Sequence, residues 1–156
     1  MTPEEIGALF PSLGPDFDIT SPTDEEYNCI AWSINDTRQW WWPTPPGQRR
    51  WPGKYWPPGV PHEETLEAFT LVYKSLGFQS CDERGFEAGF DKIAIYADSI
   101  GTVTHAARWW VEDKGWSSKP GEENDIRHHS LQSIEGTSYG AVAQVMKRLR
   151  KTRGAK

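Results

Sequence analysis

The chain has very little cysteine. Only Cys29 and Cys81 occur in its 156 residues, too few for a disulfide framework, so the fold must rest on its core and both thiols are expected to be reduced. Long apolar runs are missing too: no stretch approaches the roughly 18 consecutive apolar residues that a membrane span needs. The opening residues, MTPEEIGALF, carry neither a basic leader nor a long apolar segment. The expectation is a soluble, cytoplasmic protein without a membrane partner, with export as an effector the alternative. The formal net charge is −5, which argues against a nucleic-acid partner held by the surface as a whole. The bases of KRLRKTRGAK at the C-terminus read as the solvated end of a helix, where cations complement the helix dipole.

Aromatic residues are abundant instead: 9 Trp, 5 Tyr and 6 Phe stand beside 12 Pro and 14 Gly. An aromatic-heavy core in a loop-rich chain follows. The length suits one domain, so residues 1–156 are read as a single domain with a basic tail from about residue 150.

Local patterns suggest the elements. TPEEIGALF predicts a first helix, with Thr2 as cap, Pro3 at the first helical position, Glu4 and Glu5 at the positive end, and Pro11 as stop. Cys29, Trp32 and Ser33 fall at helical spacing, which sets Cys29 near a helix start. Residues 40–61 pack Trp and Pro together with no period, a long loop expected to be pinned to the body by its indoles. HEETLEAFTLVYKSLGF places Leu66, Phe69, Val72, Tyr73 and Leu76 on one helical face, with Gly77 as the stop. KIAIYAD, TVTHAARWWV and WSSKPG then read as three strands of an antiparallel meander. SYGAVAQVMKRLRK reads as a C-terminal helix presenting Tyr139, Val142, Val145, Met146 and Leu149. Helices, a sheet and a closing helix make an α+β domain.

One pairing carries chemistry. The partial positive charge and unpaired amides of a helix N-terminus stabilise a thiolate, and a neighbouring imidazolium does so further. His105, mid-strand in THAARWW, supplies that imidazole; strict alternation gives it the face of Val103, Ala107 and Trp109. Taken singly, a buried Cys is usually a small hydrophobe and a strand His a satisfied polar group. Cys81 and the pair His128 and His129 have no ligand spacing around them, so neither a metal nor another cofactor is expected. GFEAGF lacks the strand-then-helix context of a phosphate loop.

The order YNCIAWS, KIAIYA, THAARWW and WSSKPG resembles the papain-like cysteine hydrolases, and most of all their compact NlpC-type branch. In that branch the third catalytic group lies on the strand after the histidine. The likeness spans about residues 24–121, and the combination of YNC-IAW, WWWP and THAAR is also similar to a family of bacterial proteins without assigned activity. The resemblance implies Cys29 as nucleophile and His105 as acid and base. Its third position falls on Ser118, which shares a face with Trp116 by alternation. The branch commonly has His, Asn or a carboxylate there, whereas this strand offers Ser117, Ser118 and Lys119, with Asp125 and His128 just beyond, and a serine orients imidazole weakly. The Cys29 amide would hold the oxyanion, with Tyr27 or Asn28 as second donor. Trp40, Trp41, Trp42 and Trp56 would wall the cleft against a peptide, protein or glycopeptide substrate, cut at an amide, isopeptide, thioester or ester. The alternative is a non-catalytic protein- or glycan-binding module on the same scaffold, with the Trp/Pro loop as its recognition surface.

Overall fold

A computed structural model of the chain describes residues 2–13, 17–20, 26–43, 54–109, 115–120, 125–128 and 130–150. The first helix, α1 (Pro3–Leu9), is capped by the Thr2 side chain, which accepts from the Glu5 amide, and Glu4 and Glu5 occupy its first turn. Pro11–Leu13 add one 3₁₀ turn. After β1 (Phe17–Ile19) come α2 (Cys29–Ser33) and a short parallel pair, β2 (Trp40–Trp41) with β3 (Lys54–Tyr55). Helix α3 (Leu66–Ser75) is capped by Thr65 and buries Phe69, Val72 and Tyr73. Gly77, at φ 94°, turns the chain out of it into β4 (Gln79–Cys81).

The body is a seven-stranded sheet completed by β5 (Phe90–Ala97), β6 (Val103–Trp109), β7 (Trp116–Ser118), β8 (Ile126–His128) and β9 (Ala141–Leu149). Its order is β1-β8-β7-β6-β5-β9-β4, antiparallel throughout. The mixed α+β class and the central meander therefore match the sequence reading.

The C-terminal segment does not. Residues 141–149 form β9, not a helix, and lie between β5 and β4. Val142, Val145, Met146 and Leu149 keep the spacing of a helix face, but the segment is taken up by the sheet. Two neighbouring strands give this segment a full set of backbone partners, and that outweighs intrinsic helix preference. Its bases have specific partners as well: Lys147 pairs with Glu87 at 2.8 Å, and Arg148 and Arg150 pair with Asp91 at 3.5 and 3.1 Å. Residues 151–156 of the basic tail lie outside the described residues.

Both faces of the sheet are covered, which is why β5 reads as a nearly unbroken apolar run. On one face, Ile93, Ile95, Val103, Ala106 and Met146 pack with α2, α3, Tyr27, Trp41 and Trp56. On the other, Ala94, Tyr96, Ala107, Trp116, Ile126 and Val145 pack with Ile6 and Phe10 of the N-terminal segment and with Leu131 and Ile134 of a 3₁₀ turn, Leu131–Ile134. A register shift between Tyr96 and Ala97 matters for the site. Tyr96 pairs with His105 but Ala97 pairs with Val103, so β6 carries one extra residue at Thr104. Strict alternation would give Val103 and His105 one face. The bulge sends Val103 to the α2 side and leaves His105 with Ala107 on the other.

Candidate functional site

Cys29 is the first residue of α2, and Asn28 is its cap, its Oδ1 accepting from the Ala31 amide at 3.2 Å. The helix starts where the sequence places it. Its five residues lie across β6, with Cys29, Ile30 and Ala31 packed in the same cluster as Ala106. The amide of Ala106, the residue after His105, meets the Cys29 sulfur. Among the described residues β6 and β7 are in register only at Arg108 with Ser117.

The thiol is not in the state expected of a helix-start cysteine. It is 6% exposed, and burial pushes its pKa up to about 11, against the opposing effects of the Ala106, Ile30 and Cys29 amides and the Lys119 charge. Desolvation of the charged form wins over the helix start. The imidazole shows the same effect with the opposite sign. His105 is fully buried, and desolvation, reinforced by His128, holds its pKa well below the ordinary value. At neutral pH both groups are uncharged.

His105 sits in a hydrogen-bonded chain. Its Nε2 lies 2.9 Å from Ser118 Oγ, which in turn lies 2.8 Å from His128 Nε2; His128 Nδ1 lies 2.9 Å from the Ser130 carbonyl oxygen. Sheet register accounts for the contacts. Arg108 opposes Ser117 and Trp116 opposes His128, so His105, Ser118 and His128 stand on one face at diagonal positions of three adjacent strands. The His105 ring lies parallel to Tyr139, centroids 4.1 Å apart and planes 6° apart. Its Nδ1 is buried without a hydrogen-bond partner, and no hydrogen bond joins it to Cys29.

The structure thus brings His105 and Ser118 together on one face of β6 and sets Cys29 in the cluster on the α2 face, its sulfur at the amide of the residue after His105. It joins to them His128, which the sequence places just beyond the third strand. It lies on β8, which pairs with β7 and sets Trp116 opposite His128. Lys119, also offered by the third strand, is fully buried, with Nζ 4.8 Å from the centre of the Tyr27 ring, and its charge reaches Cys29.

The remaining site residues are occupied by the fold. Tyr27 donates its hydroxyl to Asp125 at 3.0 Å, and the Asn28 amide group donates to the Trp41 carbonyl at 2.7 Å. Trp41 and Trp56 are buried, with their indole N–H groups donated to Asp36 at 2.8 Å and to the Pro61 carbonyl at 3.0 Å. Trp42 packs edge-on against Phe69, as does Trp56, and Trp40 is half-buried. Residues 44–53 of the Trp/Pro segment, and His129, lie outside the described residues. Among the described residues no three His, Cys, Asp or Glu side chains are grouped to hold a metal ion, and no helix is long and apolar enough to cross a membrane.

A family model described as a domain of unknown function, DUF7689, matches residues 18–147. The chain belongs to that family. No curated protein and no solved structure matches it.

Proposed function

We propose that this member of a family of unknown function is a cysteine hydrolase of papain-like, NlpC-type architecture, with Cys29 as nucleophile and His105 as its base and acid. The observation that carries the reading is the His105 ring: one nitrogen is anchored through Ser118 and the other is buried and unpartnered, one residue from the amide that meets the Cys29 sulfur. A buried polar atom left unpaired is costly, and a catalytic role is one physical reason for keeping it.

The reaction starts from neutral partners. The Cys29 proton passes to His105 Nδ1 as the sulfur attacks the carbonyl carbon of an amide, isopeptide, thioester or ester. The imidazolium returns that proton to the leaving nitrogen, oxygen or sulfur as its bond to the carbonyl carbon breaks. Water, giving a proton to His105, then adds to the Cys29 thioester; collapse releases the acid and restores the thiol. The Cys29 backbone amide and the Lys119 charge favour the developing anion. The substrate is a peptide, protein or glycopeptide whose carbonyl displaces the cover over Cys29.

A second reading, a non-catalytic binding module, is favoured by the depth at which Cys29 and His105 are buried. Its recognition loop, however, has Trp41 and Trp56 committed to the core. The two separate in one experiment. With p-nitrophenyl acetate, a hydrolase accumulates one acetyl group on Cys29, detectable by mass; Cys81→Ala retains it and His105→Ala slows it at least about a hundredfold. Acetylation of Cys29 at the same rate with and without His105 would discard the hydrolase.

A further inference from the structure

A serine between two imidazoles has no direction of its own, because a hydroxyl donates or accepts equally well. The direction here comes from the far end of the chain. The Ser130 carbonyl can only accept, so His128 Nδ1, 2.9 Å away, carries a proton. Burial keeps His128 neutral at ordinary pH. A neutral imidazole has one N–H, which leaves a lone pair on His128 Nε2. Ser118 Oγ, at 2.8 Å, must donate its single proton there. Towards His105, Ser118 is then only an acceptor. His105 Nε2, at 2.9 Å, must donate, and the lone pair of His105 falls on Nδ1, the atom without a partner.

We infer that His128, acting through Ser118 and anchored by the Ser130 carbonyl, is a positioning residue that fixes His105 in the tautomer whose free base is Nδ1. The inference rests on the hydrolase reading for its purpose, though not for its geometry. It also explains how a serine serves at a position where an orienting acceptor is needed: the hydroxyl acts as an acceptor because the second histidine has taken its proton. Tyr139, parallel to the His105 ring, holds the ring plane, and the relay holds rotation within it. The Tyr96 ring, 5.5 Å from His105 between centroids, closes another side.

The test is ¹⁵N NMR of the full chain labelled at the histidine rings, with the four histidines assigned by single substitution. In the wild type at pH 7, His105 should show its proton on Nε2 and an unprotonated Nδ1. In His128→Phe, Ser118 no longer has an acceptor behind it, and at least half of His105 should shift to the Nδ1–H form. His128→Gln, whose side-chain oxygen accepts from Ser118, should return His105 to the Nε2–H form. A wild-type His105 protonated on Nδ1 overturns the inference before any variant is made, so misfolding of His128→Phe cannot protect it. An unchanged tautomer in folded His128→Phe overturns it equally. Failure of the hydrolase reading appears elsewhere, as Cys29 acetylation indifferent to His105→Ala, and leaves the tautomer measurement standing.

Discussion

The Asn28 side chain clamps the backbone of Trp41: Nδ2 donates to the Trp41 carbonyl at 2.7 Å, and Oδ1 accepts from the Trp41 amide at 3.1 Å. The same oxygen caps α2 through the Ala31 amide. One buried residue therefore fixes both the start of the cysteine helix and the strand beside it. Asn28→Ala removes three hydrogen bonds and strands two backbone groups of Trp41 in the core. A loss of roughly 2–4 kcal/mol is expected, read as a lower urea midpoint. Asn28→Asp keeps the acceptor and loses the donor, so it should fall between the two. A midpoint equal to that of wild type in Asn28→Ala would show that the clamp is redundant.

Gly140 gives a test of the β9 assignment. It precedes β9 at φ 74°, and a Cβ there would run into the Ala97 carbonyl and the Asp98 backbone. Neither is a flexible side chain that can yield. Gly140→Ala should cost more than about 2 kcal/mol, from left-handed strain and the clash together. If residues 141–149 were helical, the same change would be mild or stabilising, since alanine is the better helix former. Thermal unfolding of this variant beside Gly7→Ala, where a Cβ meets nothing within 4 Å, separates the cases.

What could be read from sequence was what local chemistry decides. Thr2, Pro3 and the two glutamates define α1 without help, and Thr65 with the Leu66 to Leu76 stripe defines α3. Ser118 could be placed on a face because alternation is local. What escaped depends on distant partners. The helix-or-strand choice for residues 141–149 is made by β5 and β4, and Val103 changed faces because of one extra residue at Thr104. His128 joined the site only through pairing of β8 with β7. The electrostatics escaped for a related reason: a helix start favours a thiolate, but only burial, a property of the whole fold, shows that desolvation dominates.

The Cys29 thiol follows from that balance. Its pKa, pushed up from 9.0 to about 11 by burial, leaves on the order of one thiolate in ten thousand at pH 7. Iodoacetamide should label native Cys29 at least tenfold more slowly than the urea-unfolded chain at that pH, with the native rate still rising above pH 10. Because the folded value is raised, Cys29 contributes stability that is present below its unfolded pKa and lost as pH climbs towards 11. A native labelling curve levelling off near pH 8.5 would mean that the sulfur is solvated.

The buried histidines make the opposite prediction for acid. The pKa of His128 is lowered by desolvation from 6.5 to about 4, and that of His105 lies well below 6.5. In both cases the unfolded chain binds a proton that the folded chain refuses, so their stabilising contribution is intact above about pH 6.5 and fades as pH falls towards 4. At about 1.4 kcal/mol per unit, His128 alone accounts for roughly 3 kcal/mol across that window, and His105 acts in the same direction. Carboxylates complicate the lower end. Asp36 and Glu87 are held below their ordinary values of 3.8 and 4.5 by their hydrogen-bond partners and also favour the folded chain at higher pH. Their effect is concentrated at lower pH, so the interval from pH 6.5 to 5 belongs mainly to the imidazoles. Urea midpoints measured across that interval should fall steeply in wild type and less steeply in His128→Gln, which keeps an acceptor for Ser118 without a titrating ring. Parallel slopes in the two proteins would show that His128 does not remain neutral in the folded chain, and with that the direction of the Ser118 hydrogen bond would be lost.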